Sequence, residues 1–233
     1  MIRKILISLF IFTIVLFGQD NQVIIREEFE DMKNWRPLTF PKIENHTRYS
    51  IVSDNENSVL KAESEASASG IILKESFNVY DYPVVEWKWK VSNVFKKGNA
   101  EKKAGDDYPL RIYIVFEYNP QQAGFFEKAK YNTAKLLYGE YPPHSSLNYI
   151  WANRQQDRRI IPNAFTAQAQ MIVLQEGAGN INKWREEKIN ILKDYRKAFG
   201  EEPPQKAGIA IMSDSDNTGE SAEAFVDYIK ISR

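Results

Sequence analysis

Cysteine is absent from the 233-residue chain, histidine occurs only twice, and basic and acidic side chains balance at 31 each. Without cysteine there is no disulfide framework, no lipid-modified cysteine and no thiolate zinc site, so folding must rest on a buried apolar core. A formal charge of zero removes the basic footprint of a protein that binds nucleic acid or an anionic membrane. HExxH, G-x-S-x-G and a glycine-rich phosphate loop are all missing, which leaves metalloprotease, nucleophilic hydrolase and nucleotide-enzyme chemistry without support. Abundant aromatics and dispersed charge argue against disorder.

Long hydrophobic runs are also missing, with one exception at the start. Arg3 and Lys4 precede an apolar run from Ile5 to Phe17, followed by small and polar residues. That pattern predicts a secretory signal peptide over residues 1–19, and so a periplasmic or secreted protein with no membrane span after cleavage. The run is shorter than the ~20 residues a spanning helix needs, although Leu16-Phe17-Gly18 is a poor cleavage site and an uncleaved anchor is the alternative. Residues 20–233 show no repeat, linker or break in composition, and are long enough for one domain with a sizeable core.

That domain reads as short strands. In VVEWKWKV (84–91), Val85, Trp87, Trp89 and Val91 share one face and Glu86, Lys88 and Lys90 the other. LRIYIVFEYN (110–119) alternates in the same way. Comparable strands are predicted at 23–29, 48–52, 59–64, 70–76, 147–152, 170–175, 184–191, 208–213 and 224–231. Many short strands with Gly, Pro and Asn punctuation imply an all-β fold, a jelly-roll-like antiparallel β-sandwich. Two inserted helices are expected. One spans 124–137, with Phe126, Ala129, Thr133 and Leu137 on one face and Gly139 as its stop; the other spans 193–199 and ends at Gly200. Trp87 and Trp89, sharing a face with two valines, are expected in the core rather than on a sugar-stacking platform.

The segments FPKIENHTRY (40–49), ESEASASGI (63–71), WKWKV (87–91), KAGDDYPLRIYIVF (103–116), LNYIWAN (147–153), DYRKAFGEEPP (194–204) and IMSDSDNTGE (211–220) occur in the order of a bacterial family. On them the chain resembles the domain-of-unknown-function family 3047. The resemblance implies an exported bacterial protein with one β-rich domain and assigns no catalytic residue. The strand pattern is also similar in architecture to galactose-binding jelly rolls, and architecture does not fix function.

Two places carry chemistry. Strand 110–119 presents Arg111, Tyr113 and Glu117 on its polar face, preceded by Asp106 and Asp107. Arg111 offers a planar fork to carboxylate or sugar hydroxyls, Tyr113 a stacking face, and Glu117 an acid or base. His46 is the better functional candidate of the two histidines. The second place is DSDNTGE, where Asp214, Asp216 and Gly219 fall at the first, third and sixth positions of a calcium loop, with Phe225 where the bidentate Glu would stand. It is either a turn closed by Asp and Asn side chains, or a cation loop completed by groups such as Asp227. Asp227 shares its alternation with Phe225, Ile229 and Ile231, so either it faces the core or Val226 and Tyr228 do.

These features lead to an exported ligand-binding protein recognising a glycan or envelope component, with calcium as the only cofactor suggested. An envelope polysaccharide hydrolase or lyase, using Glu117 with Asp106, Asp107 or His46, is the second reading. A non-catalytic structural protein is the third.

Overall fold

The computed structural model describes residues 22–55, 57–138 and 141–233. The signal peptide over 1–19 and the helix stop at Gly139 therefore lie outside the described residues. No helix among the described residues is long and apolar enough to cross a membrane.

The alternation along the strands closes into two facing sheets. The smaller runs β12 (Arg185–Asn190), β7 (Val84–Val91), β14 (Ser221–Ser232), β4 (Asn57–Glu65) and β3 (Arg48–Asp54), and β1 (Val23–Glu27) joins β14 beyond the end of β4. The larger runs β10 (Ile160–Pro162), β11 (Ala169–Glu176), β9 (Ser145–Ala152), β8 (Arg111–Phe116), β13 (Lys206–Asp214), β5 (Ala68–Leu73) and β2 (Trp35–Leu38), with β6 (Phe77–Asn78) on β13. Every pair is antiparallel except β9 with β11, which is parallel. The fold is thus the expected β-sandwich with one mixed sheet.

Trp87 and Trp89 on β7 point inward and are wholly buried. Across the interface they meet Tyr149 and Trp151 of β9, at ring-centroid distances of 5.4 and 5.8 Å. Each large ring removes 150–250 Å² from water, so this aromatic layer dominates the attraction between the sheets.

The last strand departs from simple alternation. Ala224 and Val226 face the core, the register slips between Val226 and Tyr228, and Ile229 and Ile231 then face the core. The bulge supplies the extra residue that carries the apolar set to the opposite parity. Phe225 and Asp227 accordingly lie on the outer face.

The two helices also differ from each other. Helix α2 (Ile191–Phe199) is capped by the Asn190 side chain, which accepts from the Lys193 N–H, and ends on Gly200 in the left-handed region. It buries Ile191 and Tyr195. Helix α1 (Phe125–Tyr138) docks through Tyr131, stacked on Tyr118 at 3.7 Å, and leaves Phe126 in solvent. The face containing Phe126 and Ala129 is therefore not the buried one.

Strands β2, β6 and β10 have no counterpart in the alternation. They are two to four residues long, too short for a period to register.

Candidate functional site: a groove on the outer face of the larger sheet

Pairing fixes which residues share the outer face. Arg111, Tyr113 and Val115 of β8 are level with Met212, Ala210 and Gly208 of β13, and with Ile150, Asn148 and Ser146 of β9. Beyond β13 come Gly70 and Ile72 of β5. Beyond β9 come Met171 and Ala169 of β11. Small residues at Gly70, Gly208, Ala210, Ser146 and Ala169 leave a depression between larger neighbours. Gly70 is fixed by close approach, since a Cβ there would sit 2.8 Å from the Ile211 carbonyl oxygen.

At one end of this depression lies a cavity of about 610 Å³. Its floor includes Asp106, Arg111, Asn148, Asn163 and Asp214, and its walls include Phe40, Phe165 and Tyr113. Phe40 and Phe165 are 36% and 56% exposed.

Arg111 is the centre of the floor. Although it lies on the polar face of its strand, it is buried, with Asp214, Asp106 and the Tyr108 and Tyr113 rings packed around it. Its Nη2 donates to Asp214 Oδ2, and Nη1 lies 3.9 Å from Asp106 Oδ2. The Tyr108 and Tyr113 rings flank the guanidinium at 4.9 and 5.6 Å. Asn163 Nδ2 donates to Asp106 Oδ2 at 2.8 Å, and Asn148 Nδ2 points at the Met171 sulfur at 3.3 Å. Three side chains on this floor retain a buried polar atom with no protein partner: Arg111 Nε, Asp106 Oδ1 and Asn148 Oδ1.

Electrostatics are one-sided. Burial pushes Asp214 well above the usual carboxylate range, the neighbouring Asp107 and Asp106 push the same way, and Arg111 pulls it down. Asp216 is raised for the first two of these reasons, burial before the Asp107 charge. Burial opposes the charge on Arg111, but the fields of Asp214 and Asp106 hold its pKa above the ordinary value. Arg111 is a cation under all folding conditions.

The Asp214 loop and the Arg111 face, 103 residues apart in sequence, are therefore parts of one site. The loop itself is a braced turn. Gly219 has φ of 68°, and its N–H donates to the Ser215 carbonyl at 2.8 Å. The Asp107 carboxylate reaches across to accept from Asn217 Nδ2 at 2.9 Å and from the Thr218 N–H at 2.6 Å. Carboxylate oxygens of Asp107, Asp214 and Asp216 lie within 4.8 Å of one another. Calcium takes six to eight oxygens, so other groups would have to complete a shell here, and the Asp107 and Asp214 oxygens already accept hydrogen bonds. Asp227, expected with this loop, lies on the other sheet with its carboxylate 2.7 Å from Lys88 Nζ. The β14 bulge turned it outward, toward a lysine on the neighbouring strand.

Glu117 and His46 are also apart from the floor. Glu117 is exposed just past β8, six residues beyond Arg111. At ~3.4 Å per residue that is about 20 Å, outside the ~5–9.5 Å that separates paired glycosidase carboxyls. His46 is exposed, its Nε2 lying 3.2 Å from the Ile43 carbonyl oxygen. It lines a different depression with Arg48, Glu63 and Glu223.

Sequence reasoning missed Asn148, Asn163, Phe40 and Phe165. Asn148 did carry a signal, since asparagine is depleted in strands and here sits inside the apolar run LNYIWA. The others lie on loops with no local mark of the groove.

Among solved structures, the chain is similar to the family 11 carbohydrate-binding module of the cellulosomal cellulase Lic26A-Cel5E of Clostridium thermocellum. The identity is 10%, 91% of this chain and 93% of that chain are covered, and the TM-score is 0.43. Winged bean acidic lectin complexed with methyl-α-D-galactose gives 9% identity, 91% and 98% coverage and a TM-score of 0.44. At these scores the likeness carries no argument about ligands. No curated protein matches the chain in sequence. The family described as "Protein of unknown function (DUF3047)" matches residues 33–230.

Proposed function

The chain belongs to the DUF3047 family, and from its groove we propose that it is an exported glycan-binding protein whose ligand seats on the Arg111 floor. One observation carries the reading. Around one pocket the chain gathers the Arg111 guanidinium, the Asp106, Asp214 and Asp216 carboxylates and the Asn148 and Asn163 amides, beside the Phe40, Phe165 and Tyr113 rings. A hydroxyl donates and accepts at once, so vicinal hydroxyls answer a floor that asks for both. Phe40, Phe165 and Tyr113 give apolar walls for the C–H faces of a sugar ring. A pocket with apolar walls and a few convergent polar groups is the usual form of a small-ligand site.

Because Arg111 and Asp214 also hold the fold together, the test uses the exposed walls. A Phe40→Ala, Phe165→Ala double variant keeps the floor intact. Losing ~60 Å² of apolar contact between the two rings and the ligand removes about 1.5 kcal/mol, so affinity should fall roughly tenfold or more. A glycan array probed with the secreted form reads this directly. Failure of the wild type to bind any glycan removes the proposal, and so does unchanged binding by the double variant.

A further inference from the structure

The Arg111 pocket does not end where its charged floor ends. A second cavity, also about 610 Å³, continues from it, and the two share Phe40, Tyr113, Ser146 and Met212 as lining. Each alone is the size of a site that takes a whole drug-sized molecule, ~300–1,000 Å³. The first contains Asp214 and the second Gly208, six residues apart on β13 and hence about 20 Å at ~3.4 Å per residue. The trough thus runs along the strands, over several ring widths.

Apolar and polar groups line it throughout. The far half places Leu38, Ile72 and Val115 beside Tyr118 and Pro142, with Arg36, Lys74, Ser76 and Glu117 as its polar groups. Gly208 lies in it, and a Cβ there would meet only Ile72 Cδ1, at 4.0 Å. The missing side chain is therefore not demanded by backbone packing. It leaves the trough open.

We infer that the groove takes a linear, unbranched oligosaccharide of several units, with one ring on the Arg111 floor and the following rings laid over Gly208 and Val115. This rests on the glycan reading above and adds chain length to it. A single sugar would fill the Arg111 end and leave the Gly208 end bare. A chain covers both, stacking its apolar ring faces on the floor while its equatorial hydroxyls reach the rim.

The probes are ladders of linear β-1,4-glucan, β-1,3-glucan, xylan, chitin and α-1,4-glucan, from single units to hexamers, with binding read by array and calorimetry. For at least one ladder, affinity should rise by about tenfold or more from the shortest binding member to the longest, which ~60 Å² of newly buried apolar surface supplies. Gly208→Phe, and independently Val115→Trp, should bring the long members down to the affinity of the short ones and leave the short ones unchanged. Melting temperatures of both variants are measured alongside, so that a misfolded variant is replaced by the other. Equal affinity for short and long members overturns the inference and leaves the glycan reading standing. Long-chain binding unaffected in both folded variants does the same. No binding to any member of the ladders or the array overturns both.

Discussion

Replacing Arg111 by alanine tests the reasoning about the site at its most exposed point. The guanidinium is buried between Asp214 and Asp106, with Tyr108 and Tyr113 on its flanks. Its removal leaves buried carboxylates without their counter-charge, and breaking such a pair from one side costs about 3–5 kcal/mol. For a domain of this size each kcal/mol shifts Tm by about 2–4 °C, so the variant should melt roughly 6–20 °C lower at pH 7.5. The loss should shrink at pH 5, because Asp214, already raised by burial and by its acidic neighbours, takes up a proton once the guanidinium is gone. An Arg111→Ala, Asp214→Asn double variant should recover part of the loss at pH 7.5 for the same reason. Scanning calorimetry of the three proteins at the two pH values is the assay. A shift below about 2 °C at pH 7.5, or a loss larger at pH 5 than at pH 7.5, refutes the description of Arg111 as the neutralising centre of a buried acidic cluster.

Further outcomes follow from the same residues. Asp216 has a raised pKa in the folded state, so the fold holds its proton more tightly than the unfolded chain does. The stability it contributes is present below the unfolded value of about 3.9 and is lost as pH rises through the folded value. Asp216→Asn should therefore raise Tm at pH 8 and leave it unchanged at pH 4, and a Tm unchanged at pH 8 speaks against the shift. Saturating calcium or a chelator should leave Tm unmoved, because the Asp214 turn is closed by its own hydrogen bonds; a cation at one hundred times its dissociation constant would add about 2.7 kcal/mol, several degrees. Trp87→Ala should cost about 3–5 kcal/mol by emptying the aromatic layer, and a loss below 1 kcal/mol in chemical denaturation contradicts that packing. Intact-mass measurement of protein recovered outside the cytoplasm should find a chain starting near residue 20, and one that retains Met1 contradicts cleavage.

What was legible in the sequence was whatever repeats every second residue. The VVEWKWKV strand showed its buried tryptophans because parity along one strand is a local property. β14 shows the limit of parity, since one extra residue at the bulge reverses it and nothing in AFVDYIKI marks the slip. The site was half legible. Arg111, Tyr113, Asp106 and the Asp214 loop stood out by residue type and spacing, but as separate places, because the register that sets β13 beside β8 is a long-range fact. Burial of Arg111 was hidden for the same reason, as Asp214, its hydrogen-bonded partner, comes from a strand 103 residues away. The Gly208 half of the groove had no mark at all. Gly208 and Ser146 contribute to it by the space they do not fill.

β1 lies against β14, with Val23 opposite Ser232 and the Arg233 N–H donating to the Gln22 carbonyl. Both described extremities thus emerge side by side from the smaller sheet, on the far layer from the groove. A fusion partner, a purification handle or a surface linkage fitted at either extremity would hold the molecule from behind and leave the trough presented outward. The same geometry makes immobilised protein a fair reporter of what the trough captures.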